Sequence, residues 1–385
     1  MTSAIVSEAT KATEIIDLVG IVREIGPEFC TRSEANDAEG RFAVENFEKM
    51  REKKLFSARI PVELGGGGAT HAGVAEMIRE LAHFDSSTAL AFSMHSHLVA
   101  TLLWRVKNGL MPSSEPALRK IASEELVLIS TGGSDWLEGS GKLTKVEDGF
   151  RYSGRKVFGS GSPSGHLLVT TGVYDDPDEG PQVLHFAIPM SAQGVTIADD
   201  WNSMGMRATG SNSIIIDDVF VAETGITLRR PVGKWVPFFD VVSPLAWSLV
   251  FSAYVGVAEA ARETAVAQVA KKRDDRYVQE AIGEMDTELL SAQTSLQSIV
   301  DLASSEFTPS QENSNLVYRH KTIITKAATR TIEKAIEAVG GAAYFRKLGL
   351  ERNLRDIMAA KYHPFQERKQ YSFSGRIALG LDPVE

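Results

Sequence analysis

Residues 141–160 read GKLTKVEDGFRYSGRKVFGS, and they decide the fold class because their apolar residues recur at a period of two around Asp148-Gly149. Alternation of this kind marks half-buried strands, and an Asp-Gly pair between two alternating runs predicts a tight hairpin, with Gly tolerating the positive φ of the turn. Working outward, LLVTTGVY (167–174), VLHFAIPM (183–190) and SIIIDDVFV (213–221) read as further strands, separated by turn-rich pieces such as DDPDEGPQ at 175–182. No helix of crossover length separates these runs, and no GxGxxG follows a strand, so a doubly wound dinucleotide fold is excluded. The expectation for residues 122–230 is an antiparallel β-barrel or sandwich.

The flanking segments change period. In ATEIIDLVGIVREI (12–25), GRFAVENFEKMREKKL (40–55) and HAGVAEMIRELAHF (71–84) the apolar residues fall three and four apart, which predicts helices over residues 1–121. Gly65 to Gly68 interrupt that pattern; with no preceding strand and no GK[ST], they read as a helix connection rather than a phosphate loop. After residue 230 two apolar stripes, one through Ala258, Ala261, Ala265 and Val269 and one through Ile324, Ala327, Ile332, Ala335 and Val339, predict a C-terminal four-helix bundle over 231–385. The fold class is thus mostly α with a central β-domain.

Hydrophobic residues at 43% and charged residues at 24% of 385 are ordinary globular values. A net charge of -9 opposes broad phosphate neutralisation, so nucleic acid is not an expected partner. Cys30 is the single cysteine, which rules out an intrachain disulfide and fits a reducing, cytoplasmic setting. Eight scattered histidines show no HExxH or similar spacing, so no metal is expected. The apolar run Leu245 to Ala258 is too short for a membrane span and reads as a buried core helix.

Five pieces, in order, carry a family resemblance: DSSTALAFSMHSH (85–97), GSD (133–135), GFRYSGRKVFGSGS (149–162), WNSMGMRATGSNSIIIDDVFV (201–221) and AVGGAAYFRKLGLERNLRD (338–356). Together they resemble the acyl-CoA dehydrogenase superfamily of flavoproteins. The resemblance implies a flavin, FMN or FAD, between the β-domain and the bundle, with Ser130, Thr131, Ser134, Phe158 and Ser160 at the cofactor. It also implies a homotetramer, as a dimer of dimers, in which Gly340 and Gly341 allow close approach to a neighbouring subunit's cofactor. Arg207 would hold a flavin phosphate or a substrate carbonyl, or else pair with Asp217 or Asp218.

The departures bear on function. The glutamate that serves as base in the dehydrogenases lies eight residues beyond the family's RD, where this chain has His363-Pro364-Phe365. Its second known location falls on Ala246, and R-x-x-F-G is replaced by RDDRYVQEAIG at 273–283. The chain therefore resembles the two-component flavin monooxygenases of the superfamily, dibenzothiophene monooxygenases and nitrososynthases among them. This branch implies reduced flavin supplied by a separate reductase, O2, and a small organic substrate. His363, His95 and Ser160 are then the expected catalytic residues. His95 and His97, two apart on a helix, cannot share a face, and His95 is the one expected at the pocket, either shuttling a proton or held by a backbone carbonyl. An acyl-CoA dehydrogenase with an unusual base, such as His363 or Glu367, and a non-catalytic flavin-fold protein are the alternatives.

Overall fold

The computed structural model describes residues 16–133 and 135–385; Ser134 and the first residues of the predicted opening helix lie outside them. The N-terminal helices are α1 (Leu18–Glu39), α2 (Val44–Glu52), α3 (His71–Phe84), α4 (Ser86–Lys107) and α5 (Glu115–Glu124). Strands follow as β1 (Leu128–Ser130), β2 (Lys142–Val146), β3 (Gly149–Lys156), β4 (Leu167–Asp176), β5 (Gly180–Pro189), β6 (Val195–Ile197), β7 (Ile214–Ala222) and β8 (Leu228–Pro231). The chain closes with α6 (Pro237–Val269), α7 (Arg276–Ser304), α8 (Gln311–Val339), α9 (Leu350–Ile357) and α10 (Glu367–Ala378).

Helix starts are set by short polar caps. The Asp85 carboxylate accepts from the Thr88 N–H at the head of α4, and Thr70, Asp275 and Ser310 do the same for α3, α7 and α8. The glycine run before α3 is a helix connection, as its sequence implies. A Cβ at Gly66 would lie 2.3 Å from the Ile60 carbonyl oxygen, so this turn needs glycine for close backbone packing.

The hairpin forms where the alternation predicts, with Val146 opposite Gly149, but the left-handed residue is Asp148 (φ 58) rather than Gly149. Asp tolerates that conformation through its short polar side chain. Gly149 is needed for another reason: a Cβ there would lie 2.2 Å from the Val221 carbonyl oxygen on β7. Phe150 and Tyr152 point inward from β3, and Arg151 and Ser153 outward, which is the period the sequence shows.

The barrel is not closed and the strands are not all antiparallel, while the two halves of the sheet face each other as in a sandwich, with Tyr152 of β3 against Phe186 of β5 and Phe150 against Tyr174 of β4. The sheet is open and mixed, in the order β6-β7-β3-β2-β4-β5-β8, with β1 paired to β4 in parallel over Leu128–Ser130 and a parallel bridge between β2 and β4 at Lys142 and Val173. The ten-residue β4 is long enough to meet β5 along one edge while β1 and β2 share the other. Such long-range partner choice leaves no trace in local alternation.

In the C-terminal region α6, α7 and α8 pack side by side, and the fourth place of the bundle is divided between the shorter α9 and α10. The stretch Leu245 to Ala258 lies within α6 and is buried throughout, so the one described helix apolar and long enough to cross a membrane sits inside the protein. Both α3 and α4 pack against α6. At Gly256 the α3 backbone comes so close that a Cβ would lie 2.2 Å from the Arg79 carbonyl oxygen. This packing sets α4, α6 and the β-sheet around one cavity.

Candidate functional site

The cavity has a volume of about 370 Å³ and lies among α4, the β1 end, the loop after β3, α6 and the segment before α10. Its polar edge is formed by Ser130, Thr131, Gly132 and Gly133. Gly132 has φ 117, a conformation that glycine alone adopts freely, and it leaves bare backbone along this wall. Trp136, Phe158, Trp201 and Trp247 supply aromatic walls. A flat heteroaromatic ring with hydrogen-bonding groups along one edge matches this lining, so the residues present fit a flavin.

Phe158 and Ser160 both line the cavity, as expected, although not as neighbours on a strand face. β3 ends at Lys156, and Phe158 takes φ 61 in the following loop, half exposed at the rim. Ser160 is buried and its Oγ lies 2.8 Å from Ser211 Oγ, which lies 2.6 Å from Thr209 Oγ1. Ser211 and Thr209 line the cavity as well.

Helix α4 presents Leu90, Met94 and His97 to the cavity. These are spaced i, i+4 and i+7, one face of a helix, and His95 falls outside it. The expected place of His95 at the pocket, and with it the proton shuttle, is corrected, while the alternative of a ring held by a backbone carbonyl is what the structure shows. Its Nε2 is 2.7 Å from the Phe56 carbonyl oxygen and its Nδ1 accepts from the Leu128 N–H at 3.0 Å, so it ties α4 to the chain on either side. His97 takes the place at the cavity, with Nε2 3.1 Å from Ser130 Oγ. Burial pushes both imidazoles down to about 4.

His363 reaches the cavity from the segment between α9 and α10. Its Nε2 is 2.7 Å from the Tyr254 hydroxyl, and its ring packs among Trp247, Phe251 and Tyr254 at centroid distances of 5.9, 6.3 and 5.5 Å. Removal from water, with the nearby Lys321 ammonium, pushes it down to about 3. The ring is thus neutral at physiological pH, and a proton shuttle titrating near neutrality is not what this environment makes. Tyr254 has no other hydrogen-bond partner among the described residues, and the direction of the bond goes with the imidazole tautomer: when the tyrosine donates to Nε2, Nδ1 carries the N–H. The sequence hides Tyr254, because a tyrosine in an apolar helical run reads as core.

Arg207 is elsewhere. Its Nε donates to the Asp37 carbonyl oxygen at 2.6 Å and its Nη1 to the Ser203 carbonyl oxygen at 2.8 Å, so it closes the end of α1 onto the loop before β7 and pairs with neither Asp217 nor Asp218. Gly340 and Gly341 are exposed at the end of α8 and do not line the cavity. Arg355 and Asp356 do not form an ion pair with each other. Arg355 pairs with Asp37 and Glu351, while the Asp356 carboxylate accepts from Ser86 Oγ and the Met206 N–H, and its burial pushes it up to about 6. Behind the polar edge, Lys156 Nζ lies 2.6 Å from Asp135 Oδ2 in a pair almost wholly removed from solvent.

The buried histidines set a pH response. His71, His95, His97 and His363 have folded values of about 3 to 4 against about 6.5 when unfolded, so the unfolded chain takes up protons first. Their contribution is complete above pH 6.5 and is lost as pH falls toward their folded values. His166, His185 and His320, also lowered by burial, act with them, while Asp356, raised to about 6, Asp85, Glu125 and Asp240, also raised by burial, and His83, lowered by burial but raised further by Glu259 and Glu263, act against them. The melting temperature is expected to fall from pH 7.5 to pH 5; a flat or rising profile over that range would count against neutral buried rings.

The acyl-CoA dehydrogenase N-terminal domain model matches residues 18–109 and the C-terminal domain model matches residues 249–368. The L-evernosamine nitrososynthase of a Micromonospora species is 28% identical, over 96% of this chain and 90% of its own length. The dibenzothiophene monooxygenase of Mycolicibacterium goodii is 27% identical, over 90% of each chain. Among solved structures, KijD3 in complex with FMN and an amino-keto sugar nucleotide aligns with a TM-score of 0.85 at 24% identity, over 94% of this chain and 93% of that one. With both domain models in sequence order on one fold, this chain belongs to the acyl-CoA dehydrogenase superfamily.

Proposed function

We propose that the chain is a flavin-dependent monooxygenase that uses reduced flavin, FMN in preference to FAD, and O2 on a small organic substrate. One observation carries this reading. Both places where the family's dehydrogenases keep their base line the cavity, and they hold His363 and Ala246. No carboxylate lines it among the described residues, and Glu367 points away, paired with Lys326 and the Tyr371 hydroxyl. An imidazole whose pKa is pushed down to about 3, with Nε2 already paired to the Tyr254 hydroxyl, is a weak base for an acyl α-proton. The relatives named nitrososynthase and dibenzothiophene monooxygenase, and the FMN in the KijD3 structure, support the same reading.

When bound, reduced flavin would supply the electrons that activate O2. The chain's own part is to hold the ring's polar edge at Ser130, Thr131 and Gly132–Gly133, to wall it with Trp136, Phe158 and Trp247, and to place the Ser160 hydroxyl and the His97 and His363 imidazoles beside it. Three tryptophans and Phe158 give this cavity a largely apolar wall, which limits water at the reacting atoms.

Reduced flavin would come from a separate cytoplasmic reductase. A dimer of dimers is the proposed assembly, supported by the exposed aromatics Tyr344 and Phe345 beside Gly340–Gly341.

The competing dehydrogenase activity gives a direct test. Mixed anaerobically with oxidised flavin and saturated acyl-CoA thioesters, the protein is expected to leave the flavin unbleached, since a placed base contributes about 10² to 10⁴ in rate. Rapid bleaching by any acyl-CoA would favour the dehydrogenase instead.

A further inference from the structure

Five residues of the cavity lining, Trp201, Ser203, Met206, Thr209 and Ser211, come from the one segment between β6 and β7. At its centre Met206 takes φ 52 and ψ 36, the left-handed region, which a long side chain enters only where its surroundings impose it. Both of its backbone groups are engaged. The carbonyl oxygen accepts from the Trp201 indole N–H at 3.1 Å and from Thr209 Oγ1 at 2.8 Å, so the wall is arranged around it. The N–H donates to Asp356 Oδ1, and the other carboxylate oxygen accepts from Ser86 Oγ at the head of α4. One buried carboxylate on α9 thus joins this segment to the N-terminal helices. The fit is close, since a Cβ at Gly205 would lie 2.1 Å from the Arg355 carbonyl oxygen. Arg355 and Arg207 pin the chain just before Met206, through the Met204 and Ser203 carbonyl oxygens, and guanidinium groups keep their charge throughout the physiological range.

We infer that Asp356 is a positioning residue of the cavity: its ionised carboxylate holds Met206 in the left-handed conformation, and protonating it loosens the wall from Trp201 to Ser211. This holds whatever ligand the cavity takes. A hydrogen bond to a charged acceptor is roughly twice as strong as one to a neutral acceptor, so a proton on Asp356 weakens the grip on the Met206 N–H without abolishing it. The surrounding groups set when that happens. Burial is the largest influence, Arg352 on α9 favours the charged form and Asp37 of α1 opposes it, and together with the two hydrogen bonds they leave the carboxyl at about 6. Asp85 at the head of α4 and Tyr254 of α6 bring no positive charge, Arg355 is paired with Asp37 and Glu351, and Arg207 is turned to the Asp37 and Ser203 carbonyl oxygens. On α8, Arg330 and Lys334 are paired with Glu284, Glu333 and Glu337. Because the folded value lies above that of the unfolded chain, Asp356 adds stability as pH falls below about 6, so the loosening is local and is not a step toward global unfolding.

The test is amide hydrogen exchange on the intact protein between pH 7.5 and pH 5, read across residues 201–211, corrected for the intrinsic pH dependence of exchange and referred to β3. In the wild-type protein the segment is expected to open about five- to tenfold more often at pH 5, the difference between a charged and a neutral acceptor. Asp356→Asn keeps an oxygen for the Met206 N–H and turns an amide N–H toward Ser86, so it imitates the protonated acid. Its segment should exchange at pH 7.5 as fast as the wild type does at pH 5, with no step between them. Ser86→Ala removes a donor that favours the charged form, so the wild-type step should move to higher pH, and this variant serves if Asp356→Asn does not fold. Equal protection of the wild-type segment at the two pH values, as a merely structural carboxylate would give, would overturn the inference. A step that persists in Asp356→Asn, or one that stays in place in Ser86→Ala, would overturn it as well.

Discussion

His363→Ala is expected to cut product formed per O2 consumed by about 10²-fold or more while FMN affinity stays within a few fold, once a substrate supports turnover. The size follows from what the residue offers. Donors preorganised toward developing negative charge contribute about 10² to 10³ each when water is excluded, and His363 is held for that task by Tyr254 and by the rings of Trp247 and Phe251. Because burial keeps this imidazole neutral down to about 3, its contribution should be flat between pH 6 and 8. Tyr254→Phe removes the ring's hydrogen-bond partner and should give a smaller loss with the same flat profile. A purely structural histidine would lower the melting temperature and leave the coupling of O2 to product unchanged, and that outcome would remove His363 from the site.

The second large effect is on stability. Lys156 projects from the inward face of β3, where the alternation that buries Phe150 and Tyr152 also buries an ammonium. Asp135 Oδ2 meets it at 2.6 Å, with Ser140 Oγ at 2.9 Å and Thr171 Oγ1 at 3.3 Å completing its shell. Burial lowers the lysine's pKa and Asp135 works against that shift. Removing one partner leaves an uncompensated buried charge, a loss of about 3 to 5 kcal/mol, whereas removing both is much less costly. Asp135→Ala should therefore lose about that amount in urea unfolding, and the double change Asp135→Ala with Lys156→Met should recover a large part of it. A loss under about 1 kcal/mol for Asp135→Ala would mean the pair is solvated in the working protein.

These two cases show what the sequence discloses. The hairpin at 147–148, the buried run within α6 and the placement of Ser160, Phe158 and His363 at one cavity all follow from local period or from motif order. Lys156 lies on a strand face the alternation marks as inward, yet its partner is 21 residues away and no local rule pairs them. The exchange of His95 for His97 is of another kind. Their spacing shows that one of them faces the pocket, but which one depends on how α4 is rotated against β1 and α6, a matter of packing between distant segments. The chain from Ser160 through Ser211 and Thr209 spans 51 residues at one contact, and serine and threonine near glycines read locally as turns. Arg207 shows the reverse hazard, since an arginine in a matching motif here spends its donors on backbone carbonyls.

On the proposed function, the cavity receives reduced flavin and directs it to oxygen rather than to a thioester. The most direct measurement is stopped-flow absorbance on the protein premixed anaerobically with reduced FMN and then exposed to O2. Reoxidation is expected to depart from that of free FMN, passing through a transient spectrum belonging to neither the oxidised nor the reduced free cofactor, with a shorter-lived transient in His363→Ala. Reoxidation in one step, at the rate and with the spectra of free FMN, would contradict it.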